Sequence, residues 1–213
     1  FISTLHPSLS PSCLEEALFR AGQRWTCPQI VELLKDQNAD VRKVAALALS
    51  VVGDKRAVVP LAVALHDSDS MVREMAEHGL WSVWFRLATP KAVSFAKCGN
   101  THMHHGNYAC AIEKFTCAIQ EDENFAEAYN QRAIAFYLTE RFEESIKDCR
   151  AALVRMPQHF GAMAGMGHCH AHLGHWREAK RCYRLALAIH PGLEGIQTSL
   201  DQIAQILQEI PGS

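Results

Sequence analysis

Residues 92–125, 126–159 and 160–193 can be laid beneath one another at a constant offset of 34 without a gap. A fixed period of this length means that each unit is a small supersecondary element which cannot bury its own apolar face, so neighbouring units must stack to form a continuous core. The columns carry the pattern that such stacking needs. Gly99, Ala133 and Gly167 coincide, where only a small side chain lets two helices cross closely. Ala111, Ser145 and Ala179 form a second small column, and Ala118, Ala152 and Ala186 a third. Bulky columns lie between them: Phe95, Tyr129 and Met163; Tyr108, Phe142 and Trp176; Phe115, Cys149 and Tyr183. Within each unit the turn is rich in breakers, and Gly106 and Gly174 are placed to end a helix in a left-handed cap. Pro157 and Pro191 close the second helix of their units, with Glu123 at that place in the first.

In length and in its small/large columns, this array over residues 92–193 resembles the tetratricopeptide repeat. Two departures are visible: His102 stands where the family usually has an aromatic residue, and Glu123 where it usually has proline. The resemblance implies helix pairs wound into a right-handed α-α superhelix, an all-α solenoid, with the first helix of each pair lining a concave groove.

The N-terminal half has its own period. Leu34-Lys35-Asp36 followed by Asp40-Val41-Arg42 recurs 31 residues later as Leu65-His66-Asp67 followed by Met71-Val72-Arg73, and Ala45 and Leu49 recur as Ala76 and Leu80. Each Asp is expected near a helix start, capping free amides, and each Arg one turn into the next helix, bridging neighbouring units. Gly53-Asp54 breaks the chain before the second copy, and Pro60 is expected to start its first helix. This segment, over residues 28–88, resembles the short HEAT-like repeat seen in bilin lyases and many scaffold proteins.

The expected organisation is a flexible Ser/Pro-rich lead-in over residues 1–12 and a HEAT-like region over 13–90, opened by a capping helix at 14–25. Three tetratricopeptide-like repeats follow over 91–193, then a C-terminal capping helix over 194–213. Ala88-Thr89-Pro90-Lys91 is short for a linker, so the two arrays are expected to stack as one rod, with Trp81 and Trp84 as candidates for the seam. Ile196, Leu200, Ile203, Leu207 and Ile210 form one apolar stripe at spacings of 4, 3, 4 and 3. A solenoid needs a cap over its last apolar face, and this helix supplies one; the same spacing also suits a homodimer seam.

Composition removes several classes of function. Net charge is −2, and no basic block stands out, which argues against a nucleic-acid partner. No run approaches the ~20 apolar residues of a membrane span. The eight cysteines form no C-x-x-C pair, and Cys98, Cys117, Cys149, Cys169 and Cys182 fall in helical segments. They read as reduced core thiols, which points to a cytoplasmic setting. There is no H-E-x-x-H, Gly-rich phosphate loop or G-x-S-x-G elbow, so neither catalysis nor a cofactor is expected.

The resemblance implies which residues face the groove: Val93, Ala96, Asn100, Met103 and His104 from the first repeat; Glu127, Asn130, Ile134, Tyr137 and Leu138 from the second; Ala164, His168, Ala171 and His172 from the third. Of these, Asn100, Met103, His104, Glu127, Asn130, Ile134, Tyr137, His168 and His172 are the candidate contacts with a protein or peptide. Asn side chains donate and accept at once, and Tyr137 offers rigid contact area. Tetratricopeptide modules that clamp the acidic C-terminus of heat-shock chaperones use Lys and Asn on the first repeat, Asn on the second, and Lys and Arg on the third. Here Asn100 matches, but Ala96, Gln131, Gly161 and Gly165 stand at the other four places. The expected function is therefore a non-catalytic interaction scaffold that holds a peptide or partner helix without that clamp. His104, His168 and His172 in the groove would strengthen binding of an acidic ligand below about pH 6.5. The alternative is a zinc-binding or enzyme-associated repeat protein, since His168 and His172 share a helix face at i, i+4.

Overall fold

The computed structural model describes residues 25–209, and every regular element in that range is helical. The lead-in at 1–12, all but the last residue of the cap at 14–25, and Ile210 of the C-terminal stripe lie outside the described residues. The chain divides into two compact units between Arg86 and Leu87. None of the described helices is long and apolar enough to cross a membrane.

The first unit contains α1 (Cys27–Leu33), α2 (Ala39–Val52), α3 (Val58–Ala64) and α4 (Ser70–Arg86), with a 3-10 turn over Lys55–Ala57 before α3. Leu49, Leu61, Leu65, Met75 and Leu80 are buried in its core. Gly79 lets α4 approach α3, since a Cβ there would sit 3.1 Å from the Leu61 side chain. The 31-residue period reappears in the hydrogen bonds. Asp36 and Asp67 accept from the amides of Asn38 and Asp69, at 2.8 and 2.9 Å. Arg42 donates to the Asp36 and Gln37 carbonyls as Arg73 does to those of Asp67 and Ser68.

Arg42 also links the two repeats, with a two-pronged ion pair to Asp67 at 2.7 and 2.8 Å. That guanidinium holds the Asp67 carboxyl below its ordinary range. Two local expectations shift. The caps are Asn38 and Asp69, which accept from the amides of Asp40 and Met71, rather than the Asp two residues earlier in each copy. Pro60 lies in the first turn of α3 instead of opening it; proline is tolerated there because those amides have no intrahelical partner.

The second unit contains α5 (Pro90–His104), α6 (Tyr108–Glu121), α7 (Ala126–Leu138), α8 (Phe142–Arg155), α9 (Phe160–His172), α10 (Trp176–Ile189) and α11 (Ile196–Glu209). Successive helices pack on one another, and the first helices of adjacent repeats, α5 with α7 and α7 with α9, also touch. The small columns mark the crossings. A Cβ on Gly99 would lie 2.6 Å from the Phe115 ring, and one on Gly167 2.6 Å from the Tyr183 ring. In the middle repeat Ala133 brings the methyl that the glycines lack, and the matching aromatic position shrinks to Cys149.

The 34-residue period also governs the turns. Asn107, Arg141 and His175 donate their amides to the carbonyls of His102, Phe136 and His170, at 2.9, 2.9 and 2.8 Å. Each turn needs one residue in the left-handed region: Gly106 at φ 72°, Gly174 at φ 73° and, in the middle repeat, Glu140 at φ 58°. The apolar stripe of α11 packs on the last repeat, with Ile196 and Ile203 buried against Ala164, Ala179, Tyr183 and Ala186, and Leu200 and Leu207 beside them. Of the five cysteines expected in the core, Cys149, Cys169 and Cys182 are buried, and burial pushes their thiols up, while Cys117 is half-buried. Cys98, expected in the core, is exposed, because it lies next to Gly99 on the outer side of α5.

Glu140 carries a Cβ where its two counterparts carry none. Glu140→Gly relieves the left-handed strain and is expected to raise stability by roughly 1 kcal/mol, net of the freedom glycine adds to the unfolded chain. Chemical denaturation of the two proteins side by side measures it.

Candidate peptide-binding cleft

Between the first helices of the second and third repeats lies a cleft of about 330 Å³. One wall is α7, which contributes Asn130, Ala133, Ile134, Tyr137 and Leu138. These recur at helical spacing, so the periodicity of α7 delivers them to one face. The opposite wall is α9, where Gly161, Ala164, Gly165 and His168 follow the same spacing but are nearly all small. Ser145 and Cys149 of α8 complete the lining between the two walls. Ile134 and Leu138 are 37% and 47% exposed, which leaves apolar surface in water at the rim of the cleft.

The polar groups are tethered. Ser145 Oγ donates to the Ala133 carbonyl at 2.8 Å, and the Cys169 thiol donates to Ser145 Oγ at 3.1 Å. The Tyr183 hydroxyl and His168 Nδ1 are 2.8 Å apart, and burial of Tyr183 pushes its phenol up to about 12. Tyr137 and His172 Nε2 are also 2.8 Å apart, while the His172 ring stacks on Phe142 at 4.9 Å between centroids. Burial, with a smaller contribution from His172, lowers the His168 pKa below the ordinary imidazole value. The two rings are thus each tied to a tyrosine, and no group of three or more metal-ligating side chains comes together among the described residues.

Of the nine contact residues expected from sequence, Asn130, Ile134, Tyr137 and His168 line this cleft, and His172 joins it through Tyr137. Asn100, Met103 and His104 belong to α5 and are not part of its lining. Glu127 is a correction. It is fully buried, so it offers no surface to a ligand. Its carboxylate accepts from His159 Nε2 at 2.8 Å, from Asn130 Nδ2 at 3.3 Å and from Gln131 Nε2 at 2.5 Å. His159 Nδ1 accepts from the Ala162 amide, so the ring proton sits on Nε2 and points at Glu127. The pair joins the start of α7 to the start of α9 and orients Asn130 from beneath. Sequence spacing could not reveal this, because nothing in the pattern couples Glu127 to a histidine 32 residues away. The roles of Gly161, Gly165 and Cys149 in opening the cleft were also missed, although small residues at i, i+4 on α9 were a usable signal.

Residues 14–81 match the family model for HEAT repeats, and residues 161–193 match the model for tetratricopeptide repeats. The chain is a tetratricopeptide-repeat protein with HEAT repeats ahead of that array. The small glutamine-rich tetratricopeptide repeat-containing protein of Dictyostelium discoideum is 31% identical over 102 residues, covering 48% of this chain and 30% of that protein. Among solved structures, the first tetratricopeptide domain of Spaghetti (RPAP3), bound to the HSP90 peptide SRMEEVD, superposes with a TM-score of 0.55 at 25% identity, covering 55% of this chain and 94% of that one. The second tetratricopeptide domain of human RPAP3, in complex with the HSP70 peptide SGPTIEEVD, gives 0.52 at 32% identity, covering 54% and 95%. The chain spans between 14% and 34% of the length of the curated relatives it matches.

Two measurements bear on the tetratricopeptide cleft. Glu127→Ala leaves the His159 N–H and two amides without their acceptor, and is expected to cost roughly 3 kcal/mol of unfolding free energy; a loss below about 1 kcal/mol would show that the buried pair is not a structural tie. For His168 the sign follows from its lowered pKa. The unfolded chain takes up this proton first, so the stabilisation is complete above about pH 6.5 and is lost as pH falls through the folded value. Thermal melts between pH 7.5 and 5 should therefore fall more steeply for the wild type than for His168→Gln, and the His168 ring resonance should titrate below the free-imidazole value.

Proposed function

We propose that the second unit is a non-catalytic protein-interaction module which holds an extended segment of a partner, with an apolar side chain of that segment seated in the cleft between α7 and α9. One observation carries this reading. At the two places where the chaperone-clamping modules present Lys and Arg, this chain has Gly161 and Gly165, and both line the cleft. Losing those side chains removes two cations and opens an apolar recess in the same step. A Cβ on Gly165 would meet only the Cys149 sulfur, at 3.6 Å, so the space beyond is available.

The likeness to domains whose structures hold HSP90 and HSP70 peptides supports the general mode, the holding of a short peptide. It does not carry over the ligand. Ala96 is fully buried and Gln131 is neutral, so a terminal carboxylate has no cation to meet at these positions. The ligand that fits is an internal segment with an apolar anchor. Ile134, Tyr137 and Leu138 are placed to flank the anchor, while Asn130, only 3% exposed and bonded through Nδ2 to Glu127, forms part of the floor and not the exposed contact expected from sequence. His168 is held towards its neutral form and Tyr137 keeps its proton, because burial raises the phenol, so the recess itself contributes no charge near neutral pH.

Gly165→Leu tests the reading. It fills the recess while replacing a helix-interior glycine by a better helix former, so the melting temperature should hold or rise. Partners cross-linked to the wild-type protein in native lysate should be lost, by tenfold or more, from this variant. Retention of the same partners by Gly165→Leu would overturn the assignment of the cleft.

A further inference from the structure

A second concavity, of about 670 Å³, lies on another face of the same unit, between α10 and α11. Its α10 wall presents Arg177, Lys180, Arg181 and Arg184. These occupy positions i, i+3, i+4 and i+7, which puts all four on one face along about 10 Å of helix. The three arginines are exposed and Lys180 is half-buried. Three cations elsewhere in the unit do have an acid: Lys91 pairs with Glu121, Arg132 with Asp148 and Arg141 with Glu144. The four on α10 form no ion pair with any described residue. Among the described lining residues the opposite wall is uncharged, since α11 contributes Ala204, Leu207 and Gln208. On α11, Asp201 accepts from Gln197 at 2.9 Å.

Four like charges at i, i+3 and i+4 spacing repel one another, and the chain as a whole has a net charge of −2, so the cluster is a local concentration and not a general excess. Between the cations and the neutral wall lies apolar surface, with Leu185 43% exposed and Leu207 half-buried. No aromatic ring lines the groove to stack a base, and an acidic chain repels a long polyanion. Arginine forks beside aliphatic side chains fit carboxylates interleaved with apolar residues.

We propose that the α10–α11 groove docks a short acidic segment of a partner protein, its carboxylates taken by Arg177, Arg181 and Arg184 and its apolar residues resting on Leu185 and Leu207. The site is separate from the cleft between α7 and α9 and stands whether or not that cleft binds a peptide.

The test uses the whole chain and a fluorescein-labelled EELEELEEL peptide, followed by anisotropy at low and at near-physiological salt. The expected result is saturable binding that weakens as salt rises, by about tenfold across the range. Arg181→Glu/Arg184→Glu should weaken binding by at least about tenfold, and the milder Arg177→Gln/Arg184→Gln by a smaller factor. Gly165→Leu should leave it within about twofold, since it alters only the other site. Circular dichroism melts of each variant show whether the unit is folded, and the glutamine pair preserves helix propensity should the charge reversal unfold α10. Absence of saturable binding at low salt would overturn the proposal, as would equal binding by both arginine pairs and the wild type. Tighter binding of a thymidine decamer or of anionic phospholipid vesicles than of the peptide would overturn it as well.

Discussion

The second unit depends on a trade of side-chain volume where the two helices of each repeat cross. Gly99 admits Phe115 and Gly167 admits Tyr183, each so closely that a single added carbon would overlap the ring. The middle repeat solves the same problem with Ala133 and Cys149. The crossing is kept in all three, but the middle one fills it with less aromatic bulk. Cys149 then becomes part of the lining between α7 and α9, so the cleft arises in the repeat where the trade was made differently. Architecture and candidate site are set by the same column of residues.

What the sequence made legible is what recurs. The 34- and 31-residue periods foretold the helix pairs, the crossings at Gly99 and Gly167, the caps at Gly106 and Gly174, and the bridge from Arg42 to its neighbouring repeat, because each sits at a position that recurs from unit to unit, although Arg73 bonds only the carbonyls of its own turn. What it concealed is what occurs once. Glu127 reads as a polar residue on an inward face, and only the fold brings His159 over it. Glu140 sits in a backbone region that glycine usually fills, and its own side chain gives no sign of that. Gly161 and Gly165 were legible as missing cations, but the recess they leave depends on the distance to α7, which no spacing along the chain encodes.

The histidines show the same division. Their i, i+4 spacing on α9 does place His168 and His172 on one side of the helix, as a metal pair would need. Each ring, however, gives one nitrogen to a different tyrosine, His168 Nδ1 to Tyr183 and His172 Nε2 to Tyr137. Desolvation then keeps His168 towards its uncharged form. A ring that spacing alone suggested as a charge sensor is instead part of an apolar wall.

The glycines of α9 have a consequence for how the array assembles. Three of its thirteen residues, Gly161, Gly165 and Gly167, weaken it as an isolated helix by roughly 1 kcal/mol each relative to alanine. Left to itself, this stretch has little reason to coil. It is held by its neighbours: His159, bonded to Glu127, accepts the Ala162 amide at its start, and Tyr183 closes over Gly167. The third repeat therefore inherits its order from the second and from α10, and shortening the array on either side of α9 would remove more structure than the residues cut away.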